Sequence, residues 1–122
     1  MKAIKKKKRL LLPSLRERKR YLAFEITSES QIDDFETVSS EIDKNLLSFM
    51  GEIGTASSGI TLIKDCWDKK KQRGILMMSD THVRAAQSTL ALIEHIKSNP
   101  VMIRSLGASG ILRKIKERYI AV

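Results

Sequence analysis

At 122 residues, 42% hydrophobic and 30% charged, the chain is long enough for one domain with its own core and too short for two ordinary ones. A lone cysteine, Cys66, excludes an intrachain disulfide and a cysteine-rich zinc site, and suits a reducing, cytoplasmic home. The formal net charge of +9 lies wholly in the first twenty positions, which hold ten Lys or Arg against Glu17, whereas residues 21–122 hold 13 basic and 13 acidic residues.

From the N-terminus, Lys5, Lys6, Lys7, Lys8 and Arg9 form a basic arm over residues 1–12, and residues 13–122 read as a single domain. Leu10, Leu11 and Leu12 are cut off by Pro13, short of the roughly 7–15 apolar residues a secretion signal needs. No stretch reaches the ~18 apolar residues of a membrane span. A basic arm on a neutral domain serves to neutralise polyphosphate with release of counterions; an anionic membrane surface competes with that reading, and a solubilising tail is the bland alternative.

RYLAFEIT (20–27) alternates like a first strand. Ser28 or Ser30 is placed to cap a helix in which Ile32, Phe35, Val38, Ile42 and Leu46 form an apolar stripe, stopped by Gly51. GEIGTASSG (51–59) has loop composition. ITLIKDCWD (60–68) and RGILMMSD (73–80) are expected to pair as strands around the charged turn KKKQ. Ser79, Asp80 or Thr81 caps a second helix with Val83, Ala86, Leu90, Ile93 and Lys97 on one stripe, broken at Asn99-Pro100. VMIRSL (101–106) is a further strand, GASG a turn and ILRKIKERYI a basic terminal helix. This order fits a ferredoxin- or RRM-like two-layer α/β sandwich: a four-stranded antiparallel sheet, two helices and an added C-terminal basic helix.

An RRM stacks bases on aromatic residues of its central strands. Arg73-Gly74 matches the start of that signature, but Ile75, Leu76, Met77 and Met78 stand where rings belong. That aliphatic face packs on its own core or on a partner subunit. Residues 25–52 carry eight acids and one lysine, so RNA should avoid the first helix, while residues 104–118 carry five basic residues and Glu117. In LGASG (106–110) two glycines permit a tight or left-handed turn. There Ser109 can cap the helix and free N–H groups can face a phosphate, with Arg104, Arg113 and Lys114 close by. An ordinary capped turn is the bland alternative.

Trp67 reads as half-buried core, His82 and His95 as surface residues. Asp65, Asp68 and Asp80 are strand-end aspartates of a kind common without metal. No nucleophile has a base near it in sequence, and no glycine-rich loop has a Walker lysine, so no catalytic residue and no metal ligand is expected on this chain.

LPSLRERKRYLAFEI (12–26), RGILMMSDTHVRAAQSTLALI (73–93) and IRSLGASGILRKIKERY (103–119) together resemble the ribonuclease P protein component 2 family of archaea and eukaryotes, in an archaeal-type compact length. The resemblance implies an RRM-like subunit of the enzyme that removes 5′ leaders from precursor tRNA, with catalysis by the RNA and its Mg²⁺. It also implies the TIM-barrel ribonuclease P protein component 3 as protein partner, two copies of each subunit assembling. The Lys5–Arg9 run is more basic than the family pattern, and Ile111 stands where many relatives have threonine. The expected RNA contacts are the five arm cations with Arg16, Arg18, Lys19, Arg20, Arg73, Arg84, Arg104, Ser109, Arg113, Lys114 and Arg118. A different RNA-binding module of this topology, such as a ribosome-associated protein, is the runner-up; a small-molecule regulatory domain would not need so basic an arm.

Overall fold

The computed structural model describes residues 18–32 and 34–120. The basic arm expected over residues 1–12 lies outside them, as do Arg16 and the start of the expected domain.

Strand β1 (Lys19–Ser28) runs through the middle of an antiparallel sheet, between β3 (Arg73–Ser79) and β5 (Asn99–Ser109). Two short strands, β2 (Thr61–Leu62) beside β3 and β4 (His95–Ile96) beside β5, complete the order β2-β3-β1-β5-β4. The sheet therefore has five strands rather than four. The extra one arises because the chain reverses across Lys97 and Ser98, with Lys97 at φ 56°, pairing Ile96 with Asn99 and His95 with Pro100. Pro100 is tolerated there near the start of β5, one residue outside the stretch that pairs with β1, which ends at Val101 opposite Ser28.

Period-two alternation in β1 sends Leu22, Phe24 and Ile26 to one face. There they pack with Val38, Ile42 and Leu46 of helix α1 (Phe35–Ser58) and with Ala86 and Leu90 of helix α2 (Val83–Leu92). Asp34, not Ser28 or Ser30, caps α1, accepting from the Glu36 N–H at 3.1 Å and from the Thr37 hydroxyl at 2.7 Å. Those donors hold its carboxyl below the usual aspartate value, the Thr37 hydroxyl contributing most.

Gly51 does break α1, at φ 75° and ψ 172°, a conformation essentially reserved to glycine. The segment beyond it is helical rather than loop, and it turns back so that the Thr55 hydroxyl donates to the Leu46 carbonyl at 3.3 Å. ITLIKDCWD does not form a full strand either. Thr61 and Leu62 pair with β3, and Asp68 bridges Arg73 at its start, but between them Lys64–Cys66 winds into a 3-10 turn that buries Cys66. The second helix ends at Leu92, short of Ile93 and Lys97. Ile93 becomes extended yet stays in the core, because a strand-like bend buries it as well as another helical turn would.

Helix α3 (Leu112–Tyr119) lies across the other face of the sheet. Its Leu112, Ile115 and Tyr119 pack with Tyr21, Ala23, Ile75 and Leu106, and with Ile63 and Cys66 from the β2–β3 connection. Burial pushes the Cys66 thiol up, which leaves it an unreactive core residue.

Candidate nucleic-acid interface

The face an RRM would offer to bases is occupied by α3, whose Ile115 is buried against it. Ile75, Leu76 and Met78 are fully buried in the protein's own core and Met77 is half-buried. Gly74 is a packing seat: a Cβ there would come within 2.8 Å of the Phe24 ring and 3.2 Å of Trp67. Base stacking on the central strands is thereby excluded by geometry as well as by residue type.

Cations gather instead at one end of the sheet. The register sets Lys19 opposite Ser79, Arg20 opposite Met78, and Tyr21 opposite Ser109, so the start of β1 meets the ends of β3 and β5. The Asp80 N–H donates to the Arg18 carbonyl at 2.7 Å, which ties the 3-10 turn Asp80–His82 to the same end and brings Arg84, in the first turn of α2, with it. Arg20 reaches past its strand to lie beside Gly110, its guanidinium about 3.6 Å from where a Cβ would stand. Arg18, Lys19, Arg20, Arg84, Arg113, Lys114 and Arg118 are all exposed.

Against this end lies a cavity of about 370 Å³, lined by Gly107, Ala108, Ser109, Lys114, Ile115, Arg118 and Tyr119. Lys114 and Arg118, four residues apart, share one side of α3. The Ser109 hydroxyl oxygen accepts from the Ile111 N–H at 3.0 Å, so its own hydrogen is directed elsewhere and can be donated. One hydroxyl donor and two cations around a pocket floored by Ile115 and Tyr119 form a site matched to a phosphate oxygen and its sugar.

The two glycines of the LGASG turn serve differently from expectation. β5 runs through Gly107 to Ser109, and neither Gly107 nor Gly110 has positive φ. Gly107 is needed for close approach, because a Cβ there would overlap the Tyr119 hydroxyl, which donates to the Leu106 carbonyl at 2.9 Å.

Arg73 and Arg104 do not join the basic end. Four residues further along β1, Glu25 stands opposite both of them. Its Oε2 accepts from Arg73 Nε at 2.8 Å, and its Oε1 from Arg104 Nε and Nη2 at 3.2 and 2.9 Å. Arg73 Nη1 also donates to the Tyr119 carbonyl at 3.0 Å, fastening the end of α3 to the sheet. The hydrogen bond from Arg73, then that from Arg104, holds the Glu25 carboxyl below its usual range against the effect of burial. Arg104 keeps 64% of its side chain exposed, whereas Arg73 keeps 26% and is chiefly structural.

Glu25 and Tyr119 were absent from the sequence-derived contacts. One signal was available: Glu25 is the single acid of β1, and Arg73 and Arg104 are the single charges of β3 and β5, an arrangement that favours their meeting. His82 also departs from a plain surface position. It is half-buried, with Nδ1 2.6 Å from the Ser79 hydroxyl, which is why Ser79 caps no helix. Asp68 Oδ1 closes the β2–β3 turn by accepting from the N–H groups of Lys70 and Lys71 at 3.1 and 3.2 Å. No three His, Cys, Asp or Glu side chains group in a metal-binding arrangement among the described residues. Nor is any described helix long and apolar enough to cross a membrane.

A ferredoxin-ordered α+β sandwich whose sheet face is closed by its own terminal helix, with cations collected at one strand end, defines a class of small α+β domain that offers exposed cations rather than stacking rings. The model of the Rpp14/Pop5 family matches residues 20–120, and the chain belongs to that family. It is 35% identical over 111 residues to ribonuclease P protein component 2 of Pyrococcus furiosus, covering 91% of this chain and 90% of that one. To the protein of the same name from Methanococcus vannielii it is 37% identical over 112 residues, covering 92% and 82%. Among solved structures, a chain in the cryo-EM structure of yeast ribonuclease MRP shares the fold at a TM-score of 0.60 and 15% identity, covering 84% of this chain and 92% of that one.

Proposed function

We propose that this chain is a protein subunit of ribonuclease P that binds the catalytic RNA by its phosphates and so supports removal of 5′ leaders from precursor tRNA. The observation that carries the reading is the one-ended cationic cluster beside the Ser109–Lys114–Arg118 pocket, on the scaffold of a family whose relatives are named as ribonuclease P components. Cleavage chemistry belongs to the RNA and its Mg²⁺. The chain's part is to neutralise phosphates that would otherwise repel, so that the active RNA fold and substrate docking need less of that ion. The basic arm, Lys5–Arg9, adds sequence-independent charge of the same kind. The protein partner in this reading is the TIM-barrel component 3, two copies of each joining around the RNA, in the cytoplasm.

Native purification of the tagged chain, followed by sequencing of the RNA that accompanies it, tests the assignment. Ribonuclease P RNA, released as salt is raised, supports it; ribosomal RNA keeps the fold and overturns the function. The double variant Lys114→Ala, Arg118→Ala should weaken RNA binding and flatten its logarithmic salt dependence by roughly one unit per cation removed. Replacing Lys5–Arg9 with alanine should raise the Mg²⁺ needed for reconstituted cleavage, and an unchanged requirement would refute the arm's role.

A further inference from the structure

At the basic end of the sheet a single imidazole stands among the cations. His82 closes the turn that follows β3, and its Nδ1 lies 2.6 Å from the Ser79 hydroxyl and 3.1 Å from that of Thr81. The two hydroxyls are themselves 3.2 Å apart. The protonation of the ring decides how the hydrogens of this triangle are arranged. A neutral ring with its hydrogen on Nε2 accepts at Nδ1, and the Ser79 hydrogen is held there. An imidazolium carries hydrogen on both nitrogens, so Ser79 must accept from Nδ1 and its own hydrogen is released.

Release matters because of where Ser79 stands. Only 9% exposed, it lines a cleft of about 190 Å³ whose walls also include Arg18, Lys19 and Ser58. Lys19 is its cross-strand partner, so the two side chains leave the sheet on the same side. Ser58 is engaged elsewhere, its hydroxyl donating to the Thr55 carbonyl at 2.8 Å and accepting from the Ile60 N–H at 3.3 Å. Ser79 is thus the hydroxyl that a ligand between Arg18 and Lys19 would meet. Among the described residues neither cation is paired with an acid. The charged groups on the elements that meet at His82 are Arg18 and Lys19 of β1, Asp80 of the turn and Arg84 of α2. β3 contributes Ser79, and α1 ends there in the uncharged Ser58 and Gly59. Three cations against one acid make an anion the ligand that this end attracts.

We propose that His82 and Ser79 form a proton-operated switch on a second anion site, in which protonation of His82 frees the Ser79 hydroxyl to donate to an RNA phosphate held by Arg18 and Lys19. The proposal rests on the reading of this end as RNA-binding. By linkage, a phosphate bound there favours the protonated ring, and RNA binding tightens as pH falls through the range in which imidazoles titrate, about pH 8 to 5. The Ser109–Lys114–Arg118 pocket has no histidine, so the dependence belongs to the second site alone.

The test measures binding of ribonuclease P RNA at pH 8 and pH 6, at one salt concentration, by the natural full chain, His82→Asn and Ser79→Ala. His95, on β4, is common to all three. The natural chain should tighten about fivefold more than His82→Asn, whose side chain takes up no proton. Ser79→Ala keeps the imidazolium but lacks the relay, and should lose most of that excess. Equal responses in the natural chain and His82→Asn overturn the proposal. So does a full response in Ser79→Ala, which would make His82 a plain cation. Two measurements on the natural chain depend neither on the folding of the variants nor on the identity of the RNA. Nitrogen NMR of the His82 ring at pH 8 should show Nδ1 without hydrogen, and a protonated Nδ1 there overturns the switch. Sulfate, followed by the amide signals of Lys19 and Ser79, should bind about fivefold more tightly at pH 6 than at pH 8; equal binding overturns it. Sulfate binding with this pH dependence, beside a failure to bind ribonuclease P RNA, would uphold the switch and refute the functional reading.

Discussion

The two faces of the central sheet are built on different principles. On one, Leu22, Phe24 and Ile26 meet two helices in a continuous apolar cluster, and many side chains share the burial. On the other, a single eight-residue helix covers Tyr21, Ala23, Ile75 and Leu106 through one fully buried residue, Ile115. Leu112 and Tyr119 pack beside it only partly buried, and the remaining contacts are polar: the Tyr119 hydroxyl on Leu106, the Tyr119 carbonyl on Arg73, and the Arg73–Glu25–Arg104 ion pairs beyond. A shared core resists local change because neighbours hold the shape, whereas a face held by a few named contacts can be loosened one contact at a time. The face that an RRM opens to bases is closed here by contacts of the second kind.

The largest expected effects come from deleting the centre of each face. Phe24→Ala removes a fully buried ring that also lies over Gly74 and should destabilise the protein by about 3–5 kcal/mol in denaturant unfolding. Ile115→Ala should lose about 2–4 kcal/mol at most, since α3 can partly detach. Amide exchange should then rise in α3 and along Leu106–Ser109 far more than in α1. Equal exchange increases in α1 would show that the two faces unfold together and that the contrast between them is wrong.

Pattern reading reached the first face better than the second, for a physical reason. The stripes of α1 and α2 and the alternation of β1 repeat at fixed spacing, so their burial can be inferred without knowing the neighbours. The order of the main strands follows from the same pattern. Contacts set by distant residues are not periodic. The Asp34 cap, the short β4 hairpin and the helical segment after Gly51 each depend on a local choice that composition does not specify. Gln72 is the clearest case. Read as part of a charged turn, it is buried at φ 53°, donates to the Ile26 carbonyl at 2.8 Å and accepts from the Ile32 N–H at 2.6 Å. At the cationic end, the sequence marked Arg20, Ser109 and Lys114 singly through charge and a turn motif. That they share one strand end follows from the antiparallel register, and that Arg73 and Arg104 leave the group follows from Glu25.

Glu25 gives the polar face a pH dependence of its own. Its carboxyl is held below the ordinary value in the folded state, chiefly by Arg73, so the stabilisation it provides is present above the unfolded glutamate value of about 4.3. That stabilisation is lost as the pH falls through that value towards the folded one. Glu25→Gln should therefore be less stable than the natural chain at pH 7, and the gap should close on acidification below roughly pH 4. A gap that stays constant from pH 7 to pH 3 would mean that Glu25 acts through packing alone. In either case the loosening should appear first at Tyr119, through Arg73.

The smallest expected effect is also the most diagnostic of how α3 is held. Tyr119→Phe deletes the hydrogen bond to the Leu106 carbonyl and should lower stability by about 0.5–1.5 kcal/mol. Gly107→Ala acts on the same contact from the other side, since its Cβ would overlap the Tyr119 hydroxyl and crowd the ring carbons behind it. If the hydroxyl is the main obstacle, Gly107→Ala will cost less in a Tyr119→Phe background than in the natural chain. The double-mutant cycle will then show a coupling well above the scatter expected of independent sites, about 0.3–0.5 kcal/mol. Additive losses would instead mean that α3 already rides clear of Gly107 in solution. The pocket shared by Ser109, Lys114 and Arg118 would then be wider than its resting shape, because Tyr119 forms part of its lining.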